Sequence, residues 1–328
     1  MPNIITTAQA AEFLNTRDNF LILTHKRPDG DTIGCAASLC TALRERGKTA
    51  FVLPNPELTA AFTPYFDGLT APDGFIPDTV VAVDIAALGL LPDNAKQYST
   101  KIDLTVDHHP SQEFFAAQTC LEANRAACGE LVYDIVRRWG EVSPAVATPL
   151  YVAVSTDCGC FVYANTTAHT HQVAAALMEA GIDTPALNKK HFRTKSLKRL
   201  KLEGLIIERL ELYQGGTIAA APVSRAMMDS VGATIDDLDD LAAFVGQIQG
   251  VLHSMTVREL DNGTCKVSLR TNARFLNATR VCAKLGGGGH AAASGCTVEG
   301  TLRETIDKMM AAIVEVQRET IKHSDENR

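Results

Sequence analysis

Short apolar runs that alternate with helical patterns constrain the fold of the first half of the chain. Residues 20–24 (FLILT) have the continuous hydrophobicity of a buried strand, and residues 33–46 then carry apolar side chains at helical spacing. Three further runs, 49–53, 80–85 and 102–106, also have the strand pattern. This alternation predicts an α/β fold with a mainly parallel sheet, covered by helices on both faces, whose ligands bind beyond the carboxyl ends of the strands.

Two domains are expected from the length of 328 residues and from the change of pattern along the chain. We predict a larger, parallel-sheet domain over residues 1–187, a basic amphipathic helical linker over 188–212 and a smaller α/β domain over 213–328. In the smaller domain the strand pattern recurs in residues 217–223, 254–260 and 265–271, and helical spacing recurs in 238–248 and 303–318.

The net charge of −7 argues against a long duplex nucleic acid as partner, because affinity there comes from many Lys and Arg contacts with phosphates. A small anionic substrate is compatible with this charge, since bound divalent metals reverse the local field. The sequence shows neither a signal-peptide pattern nor an apolar run long enough to span a bilayer, so we expect a cytoplasmic protein without a membrane partner. The nine cysteines lie mostly in hydrophobic patterns, which favours reduced thiols.

The segment THKRPDGD, at the end of the first predicted strand, carries three potential metal ligands, His25, Asp29 and Asp31. The turn at Pro28 and Gly30 allows both carboxylates to point toward the same place as the imidazole. Taken alone, the segment is more typical of a polar turn in which an Asp caps the following helix. The residues at the other predicted strand ends, however, favour a metal site over a simple turn.

Two more predicted strands end in acidic residues or histidine. Asp84 lies in VVAVDIA, and Asp107, His108 and His109 lie in DLTVDHHP. A further acidic residue, Asp157 in STDCGCF, follows an apolar helix. A single Asp in such a position is commonly a helix cap or a turn former, but burying one at the end of an apolar strand is costly unless a cation compensates its charge. We therefore predict one shared metal site with six ligands, His25, Asp29, Asp31, Asp84, His108 and Asp157.

This donor set suits two divalent metal ions a few ångströms apart, which can bind both the attacking and the leaving oxygen of a phosphoryl transfer. Oxygen ligands mixed with imidazole favour Mn²⁺, with Mg²⁺, Co²⁺ or Zn²⁺ as alternatives. The pair Cys158 and Cys160 has no second Cys pair at zinc-ribbon spacing. The chain also has no nucleophilic-serine elbow, no phosphate loop and no dinucleotide fingerprint. These observations together favour metal-dependent phosphoester hydrolysis.

In the second domain, the stretch GGGGH is too rich in Gly for a packed element. The backbone N–H groups of Gly287, Gly288 and Gly289 could approach a phosphate closely, and His290 adds a donor. Arg270 in VSLRT could form a two-pronged pair with a phosphate. A mobile turn and an exposed Arg without a specific contact are the alternatives.

The order of these motifs resembles that of the DHH/DHHA1 phosphoesterase family. The motifs are His-x-x-x-Asp-x-Asp, a strand-end Asp, Asp-His-His, a helix-end Asp and GGGGH followed by Ala-Ser-Gly, and they extend over residues 25–295. The resemblance implies two metals bridged by Asp84. One metal would be held by Asp84 with His25 and Asp29, and the other by Asp84 with Asp31, His108 and Asp157.

The same resemblance implies roles for residues near the metals. Asp107 would orient His108, and His109 would face the scissile phosphate. Arg270 and the loop of residues 287–290 would hold the terminal nucleotide or its phosphate. One departure from the family pattern is Thr271, where relatives usually have Ser, and it leaves the contacts of that loop open.

Within the family, the length of the chain is similar to that of the stand-alone oligoribonucleases, or nanoRNases, which are also 3′-phosphoadenosine-5′-phosphate (PAP) phosphatases. The resemblance therefore implies Mn²⁺-dependent hydrolysis of RNA of about two to five nucleotides and of PAP. Its partners would be short RNA oligonucleotides and small phosphorylated nucleotides, with a homodimer as an open alternative to a monomer. Two other functions stay open: a phosphodiesterase for linear or cyclic dinucleotides, and a non-catalytic nucleotide-binding protein.

Overall fold

The computed structural model describes residues 2–238 and 241–326. The chain divides into two compact units between Thr194 and Lys195, and each unit has its own sheet and its own buried core. The predicted α/β class, with a parallel sheet in the first unit and a second sheet in the smaller second unit, is confirmed. None of the described helices combines the length and the apolar character that crossing a bilayer requires.

The sheet of the first unit consists of six strands that pair in parallel throughout. The strands are β1 (Ile4–Ile5), β2 (Phe20–Leu23), β3 (Ala50–Val52), β4 (Thr79–Val83), β5 (Leu104–Asp107) and β6 (Gln118–Leu121), in the order β1-β6-β5-β4-β2-β3. β2 and β4 are buried over their whole length, as expected for central strands of a parallel sheet that is covered on both faces.

The α-helices of this unit pack on one face of the sheet. They are α1 (Thr7–Asn15), α2 (Gly30–Glu45), α3 (Cys128–Val136), α4 (Pro144–Asp157), α5 (Ala168–Glu179) and α6 (Thr184–Asn188). Phe20 and Ile22 of β2 point into the core that α1 to α5 form with the sheet. This core includes residues from all five helices and is the larger of the two in the unit.

The opposite face of the sheet is covered by short 3-10 helices, including Leu88–Leu90 and Asp93–Tyr98. Leu21 and Leu23, the alternate residues of β2, pack into this second core. Helices therefore cover both faces of this sheet, but those on the second face are 3-10 helices and not α-helices. Pro92 lies between these two 3-10 helices and cannot continue the first of them, because proline has no backbone N–H to donate.

The carboxyl ends of β5, β4 and β2 lie side by side, because these strands are neighbours in the sheet. The Asp84 N–H donates to the Val106 carbonyl at 2.9 Å, which joins the residue after β4 to β5. The Thr32 hydroxyl, in the first turn of α2, donates to the Val83 carbonyl at 2.9 Å. The start of α2 and the ends of the two strands therefore form one hydrogen-bonded edge.

The second unit is a mixed sheet with helices on both faces. Its strands are β7 (Glu211–Tyr213), β8 (Ile218–Val223), β9 (His253–Glu259), β10 (Thr264–Thr271), β11 (Gly288–Gly289) and β12 (Ala293–Glu299), in the order β11-β12-β10-β9-β8-β7. Its helices are α7 (Leu197–Arg209), α8 (Arg225–Val231), α9 (Leu241–Val245), α10 (Ala278–Ala283) and α11 (Leu302–Glu326). α10 and α11 share one core, and α7, α8 and α9 share the other.

The stretch that we assigned to a linker, 188–212, is not one continuous helix. α6 ends at Asn188, a π-helical turn spans Lys189–Arg193, and α7 follows after a short non-helical segment. Leu202 and Ile206 of α7 are fully buried against β8, α8 and α9. α7 is therefore part of the core of the second unit, because its apolar face is covered there.

Gly34 allows α2 and α4 to approach each other closely. A Cβ atom at this position would lie 2.2 Å from the Pro149 carbonyl oxygen and 2.7 Å from the Ala153 Cβ. We expect Gly34→Ala to lower the free energy of unfolding by about 1–3 kcal/mol, because the packed helices must move apart. Chemical denaturation followed by circular dichroism measures this change.

The control substitution is Gly204→Ala, in the exposed part of α7, where a Cβ atom would meet nothing within 4 Å. This change should raise the free energy of unfolding by about 0.5–1 kcal/mol, since Ala has the better helix propensity. Equal effects of the two substitutions would contradict the packing explanation.

Candidate metal centre

Seven acidic or histidine side chains meet at the carboxyl edge of the parallel sheet. They form three groups in which one possible ligand atom from each residue lies within 4.8 Å of the others: His25 with Asp29 and Asp84, Asp31 with His108 and Asp157, and Asp84 with His108 and His109. Asp84 and His108 each belong to two groups. The structure thus brings all six predicted ligands together, with His109 beside them.

His25 is oriented by its own neighbour in the chain. Its Nδ1 lies 2.8 Å from the Lys26 carbonyl, which can only accept a hydrogen bond, so Nδ1 carries the proton. Nε2 then faces the carboxylates, at 3.5 Å from Asp29 Oδ1 and 3.7 Å from Asp84 Oδ2. Asp29 also caps α2, because its Oδ1 accepts from the Asp31 N–H at 3.1 Å. The capping role that we considered is therefore present, and the same carboxylate also faces His25 within the cluster.

Asp31 is buried in the first turn of α2 and is held by the start of α3. Its Oδ2 accepts from the Cys128 N–H at 2.7 Å, and its Oδ1 accepts from the Gly129 N–H at 2.9 Å. The Cys35 thiol adds a third contact to Oδ1 at 3.3 Å. The N-terminus of a helix favours negative charge, so α3 fixes this carboxylate in place.

His108 is oriented in the same manner as His25. Its Nδ1 lies 3.1 Å from the Arg125 carbonyl, which again requires the proton on Nδ1. Nε2 lies 3.5 Å from Asp157 Oδ2, 3.6 Å from Asp84 Oδ1 and 3.8 Å from Asp31 Oδ2. The lone pair of each neutral imidazole is thereby presented to a cluster of carboxylates, which is how metal-binding histidines are commonly prepared.

Asp84 lies between the two histidines and is 3% exposed. Its backbone has φ of 58°, a left-handed conformation that Asp and Asn tolerate better than most residues. Within the part of the chain that the structure describes, its Oδ1 is a buried oxygen that accepts no hydrogen bond. A buried carboxylate oxygen without a donor is costly, and a bound cation is the usual compensation.

Asp107 contacts His109 rather than the ring of His108. Its Oδ1 lies 2.8 Å from His109 Nδ1 and accepts from the His108 and His109 backbone N–H groups at 2.8 and 3.2 Å. Its Oδ2 accepts from Gln112, which also donates to the Ile85 carbonyl. The expectation that Asp107 orients the His108 ring is therefore wrong, because the Arg125 carbonyl occupies that position.

The electrostatics of the site favour a cation. Burial raises the pKa of Asp84 well above its usual range, and the charges of Asp31 and Asp29 raise it further. Burial also raises the pKa of Asp31 and, together with the charge of Asp31, that of Asp157. Burial by itself would lower the pKa of His108, but the pKa is raised overall by the charges of Asp31 and Asp157, the hydrogen bond to the Arg125 carbonyl and the charge of Asp107. Four carboxylates and two oriented imidazoles therefore fit divalent metal ions, which would relieve this repulsion.

The contacts that hold these side chains come largely from the chain's backbone and were not foreseen from the sequence. They are the carbonyls of Lys26 and Arg125 and the N–H groups of Cys128 and Gly129. The helical pattern of residues 127–139 shows that a helix starts near Cys128, but only the fold shows that its first turn faces Asp31.

The second unit brings Arg270 and the glycine-rich loop to the same end of its sheet. Arg270 is in register with Ala293 of β12, and Gly288 and Gly289 pair with Gly295 and Ser294 of the same strand. Two of the four glycines thus form a short strand, so our interpretation of the stretch as too Gly-rich for a packed element is wrong there.

Gly287 explains why glycine is needed in this loop. A Cβ atom on Gly287 would lie 2.2 Å from the Gly295 carbonyl oxygen and 2.5 Å from the Cys296 Cβ. The loop therefore lies directly against β12. His290 is exposed and its backbone N–H donates to the Ala293 carbonyl at 2.8 Å, which closes the turn between β11 and β12.

The thermal stability of the metal-free protein should fall as the pH rises. A carboxyl group whose pKa is raised in the folded state binds more protons there, so the stability it contributes is present below the unfolded pKa, near 3.8, and is lost above the folded pKa. The raised pKa values of His25 and His108 act in the same direction. We expect the melting temperature in the presence of a chelator to fall as the pH rises from about 4 through neutral pH.

Asp84→Asn should weaken this pH dependence, because Asn keeps the shape and tolerates the left-handed backbone but carries no charge. Near pH 8 its melting temperature should exceed that of the wild type by about 2–4 °C for each 1 kcal/mol of repulsion removed. Asp67→Asn, at an exposed position, is the control and should behave as the wild type. A melting temperature of Asp84→Asn that is equal to or below the wild-type value would contradict the proposed repulsion.

Comparison with known proteins gives matches over most of both units. The family model described as DHH family, N-terminal domain, matches residues 19–154, and that described as DHHA1 domain matches residues 217–319. The chain is 29% identical to the bifunctional oligoribonuclease and PAP phosphatase NrnA of Thermus thermophilus, over 92% of this chain and 89% of that protein. It is 24% identical to the protein of the same name in Bacillus subtilis, over 86% of this chain and 90% of that protein.

A solved structure has the same fold over nearly the whole length. It is that of an exopolyphosphatase-related protein from Bacteroides fragilis, with a TM-score of 0.86 and 24% sequence identity, and the match covers 95% of this chain and 96% of that one. The residues that meet at the sheet edge include the Asp-His-His sequence of residues 107–109. From its two matched domains and its similarity to these proteins, the chain belongs to the DHH/DHHA1 family of metal-dependent phosphoesterases.

Proposed function

We propose that the protein hydrolyses short oligoribonucleotides, of about two to five nucleotides, and PAP to mononucleotides. The single observation that carries the proposal is Asp84, a buried carboxylate between two oriented histidines with one oxygen that accepts no hydrogen bond from the described residues. The substrate class is supported by the relatives in Thermus thermophilus and Bacillus subtilis, both named as oligoribonuclease and PAP phosphatase.

In this proposal two divalent metal ions, with Mn²⁺ favoured over Mg²⁺ or Co²⁺, occupy the sheet edge. One would be held by His25, Asp29 and Asp84, and the other by Asp31, Asp84, His108 and Asp157. When bound, such ions activate water as a nucleophile and offset the negative charge that develops on the phosphoryl oxygens.

The chain's own residues prepare the site for a phosphate. The Lys26 and Arg125 carbonyls hold the protons of His25 and His108 on Nδ1, so that neither ring can donate from Nε2 while it is neutral. Asp107 holds the proton of His109 on Nδ1 in the same way. We propose that His109, fixed by this contact, donates a hydrogen bond from its protonated form to a phosphoryl oxygen of the substrate.

In the second unit, we propose that Arg270 and the loop of residues 287–290 bind the terminal phosphate or nucleotide. A guanidinium group forms two parallel hydrogen bonds with a phosphate, and the exposed glycine backbone of Gly288 and Gly289 lets a ligand approach closely. A cytoplasmic location is a further part of this proposal, with a homodimer as an open alternative to a monomer.

The proposal predicts a specific order of substrates. Purified protein with Mn²⁺ should release mononucleotides from ribonucleotide dimers to pentamers and phosphate from PAP, with turnover falling as the RNA becomes longer. Asp84→Asn should reduce turnover at least 10²- to 10³-fold, roughly the scale of losing a group that stabilises transition-state charge, while Asp67→Asn should not change it. Chromatography of the products measures both.

Linear and cyclic dinucleotides form the second arm of this assay. Faster turnover of these compounds than of short RNA and PAP would favour the dinucleotide phosphodiesterase alternative. Binding of nucleotides without turnover, in protein that has bound Mn²⁺, would favour the non-catalytic alternative and overturn the proposed hydrolysis.

Arg270→Ala should raise KM by about 10- to 100-fold with a smaller change in kcat, because a charged hydrogen bond to a part of the substrate that does not react contributes similarly before and during the reaction. Arg303→Ala is the matched control, since the Arg303 guanidinium is engaged with Glu211 and Asp307 on the same unit. An unchanged KM for Arg270→Ala would contradict the assignment of Arg270 to substrate binding.

A further inference from the structure

A cluster of charged residues lies beside the candidate metal centre and outside its ligand set. Arg125 is its central member: Nε lies 2.7 Å from Glu122 Oε2, Nη2 lies 3.1 Å from Asp134 Oδ2, and Nη1 lies 3.7 Å from Glu130 Oε2. Glu130 and Asp134 are one turn apart on α3 and are 0% and 5% exposed. Thus one guanidinium group faces three carboxylates, two of them buried.

These carboxylates hold the Arg125 side chain in place. Buried carboxylates are costly unless they are paired, and the planar guanidinium can contact several of them in one orientation. The Thr170 hydroxyl donates a 2.6 Å hydrogen bond to Oε1 of Glu130, and the other oxygen, Oε2, faces Arg125. Any movement of residue 125 would therefore take the guanidinium group away from two buried carboxylates, which is unfavourable.

The backbone of the same segment holds candidate metal ligands. The Arg125 carbonyl accepts from His108 Nδ1, and the N–H groups of Cys128 and Gly129 bind the two oxygens of Asp31. The segment 125–129 therefore contacts one imidazole and one carboxylate of the same ligand group.

The third member of that ligand group, Asp157, is joined to the segment through Asn165. The Asn165 side-chain amide donates to the Ala126 carbonyl at 3.0 Å and to the Asp157 carbonyl at 3.1 Å. Asp31 and His108 directly, and Asp157 through Asn165, are thus linked by hydrogen bonds to the segment 125–129.

We propose that Arg125 is a positioning residue: its ion pairs with the carboxylates of Glu122, Glu130 and Asp134 hold the 125–129 backbone where it orients His108 and Asp31 for metal binding. The inference rests on the proposed metal centre. It assigns to a side chain that touches neither metal nor substrate a share in the affinity for the metal.

Arg137 provides a matched control. Its Nε pairs with the other oxygen of Asp134 at 2.9 Å, so its removal also takes a cation from this carboxylate. Arg137, however, follows the last residue of α3, whereas Arg125 precedes its first turn, where the backbone contacts Asp31 and His108. A general loss of stability would affect substitutions of both Arg125 and Arg137, but only substitution of Arg125 should lower the affinity for the metal.

The test is titration of metal-free protein with Mn²⁺, with free Mn²⁺ measured by electron paramagnetic resonance. Arg125→Ala should bind Mn²⁺ about 10- to 100-fold more weakly, the scale of losing a contact that orients a metal ligand. Arg125→Lys should lie between wild type and Arg125→Ala, because an ammonium group cannot contact three carboxylates in one plane. Arg137→Ala should bind within about twofold of the wild type, which is the scatter of distant surface changes.

The kinetics should distinguish the variants in the same way as their Mn²⁺ affinities do. At saturating Mn²⁺, kcat of Arg125→Ala should recover most of the wild-type value because all six proposed ligands are still present, while the Mn²⁺ concentration for half activity rises. If Arg125→Ala does not fold, Glu122→Gln, at a partly exposed position, should show a smaller shift of the Mn²⁺ affinity in the same direction.

The possible results separate a failure of the proposed metal centre from a failure of the inference about Arg125. Wild type without Mn²⁺ binding would overturn the proposed metal centre and this inference with it. Wild type that binds Mn²⁺, with an unchanged affinity in Arg125→Ala and in Glu122→Gln, would overturn the inference alone. Equal weakening in Arg125→Ala and Arg137→Ala would also overturn it, since the effect would then follow from Asp134 and not from the backbone of residues 125–129.

Discussion

Repulsion between carboxylates at the carboxyl edge of a parallel sheet is the constraint on which the site depends. Asp31, Asp84 and Asp157 all have raised pKa values, and burial is the first cause in each case. A folded chain gains nothing from placing these groups together unless a cation joins them. The clustered carboxylates therefore destabilise this edge of the folded protein. The packing of the surrounding strands, helices and turns provides the stability that offsets this effect.

The surrounding structure restricts what these groups can do. Backbone carbonyls place the protons of His25 and His108 on Nδ1, the first turn of α3 binds both oxygens of Asp31, and Asp107 holds His109. Each of these contacts selects one tautomer or one orientation before any metal arrives. Such preorganisation distinguishes a site that is suited to metal ions from an ordinary cluster of acidic residues.

Much of this could be predicted from the sequence, and the limits have physical causes. The short apolar runs predicted the parallel sheet, and the acidic residues after them predicted which side chains would meet, since parallel strands end at a common edge. The covering of one face by 3-10 helices, and the pairing of Gly288 and Gly289 with β12, depend on turn geometry and on contacts between distant segments. The partner of Asp107 was misassigned because either of two adjacent histidines can contact a neighbouring carboxylate, and only the backbone conformation decides which ring does so.

The use of main-chain carbonyls to orient His25 and His108 has an evolutionary consequence. Every residue type has a carbonyl, so replacement of the side chain at position 26 or 125 cannot delete the acceptor; it can only displace it. The acceptor itself therefore survives any substitution at these two positions, and only a change that moves the main chain can release the ring.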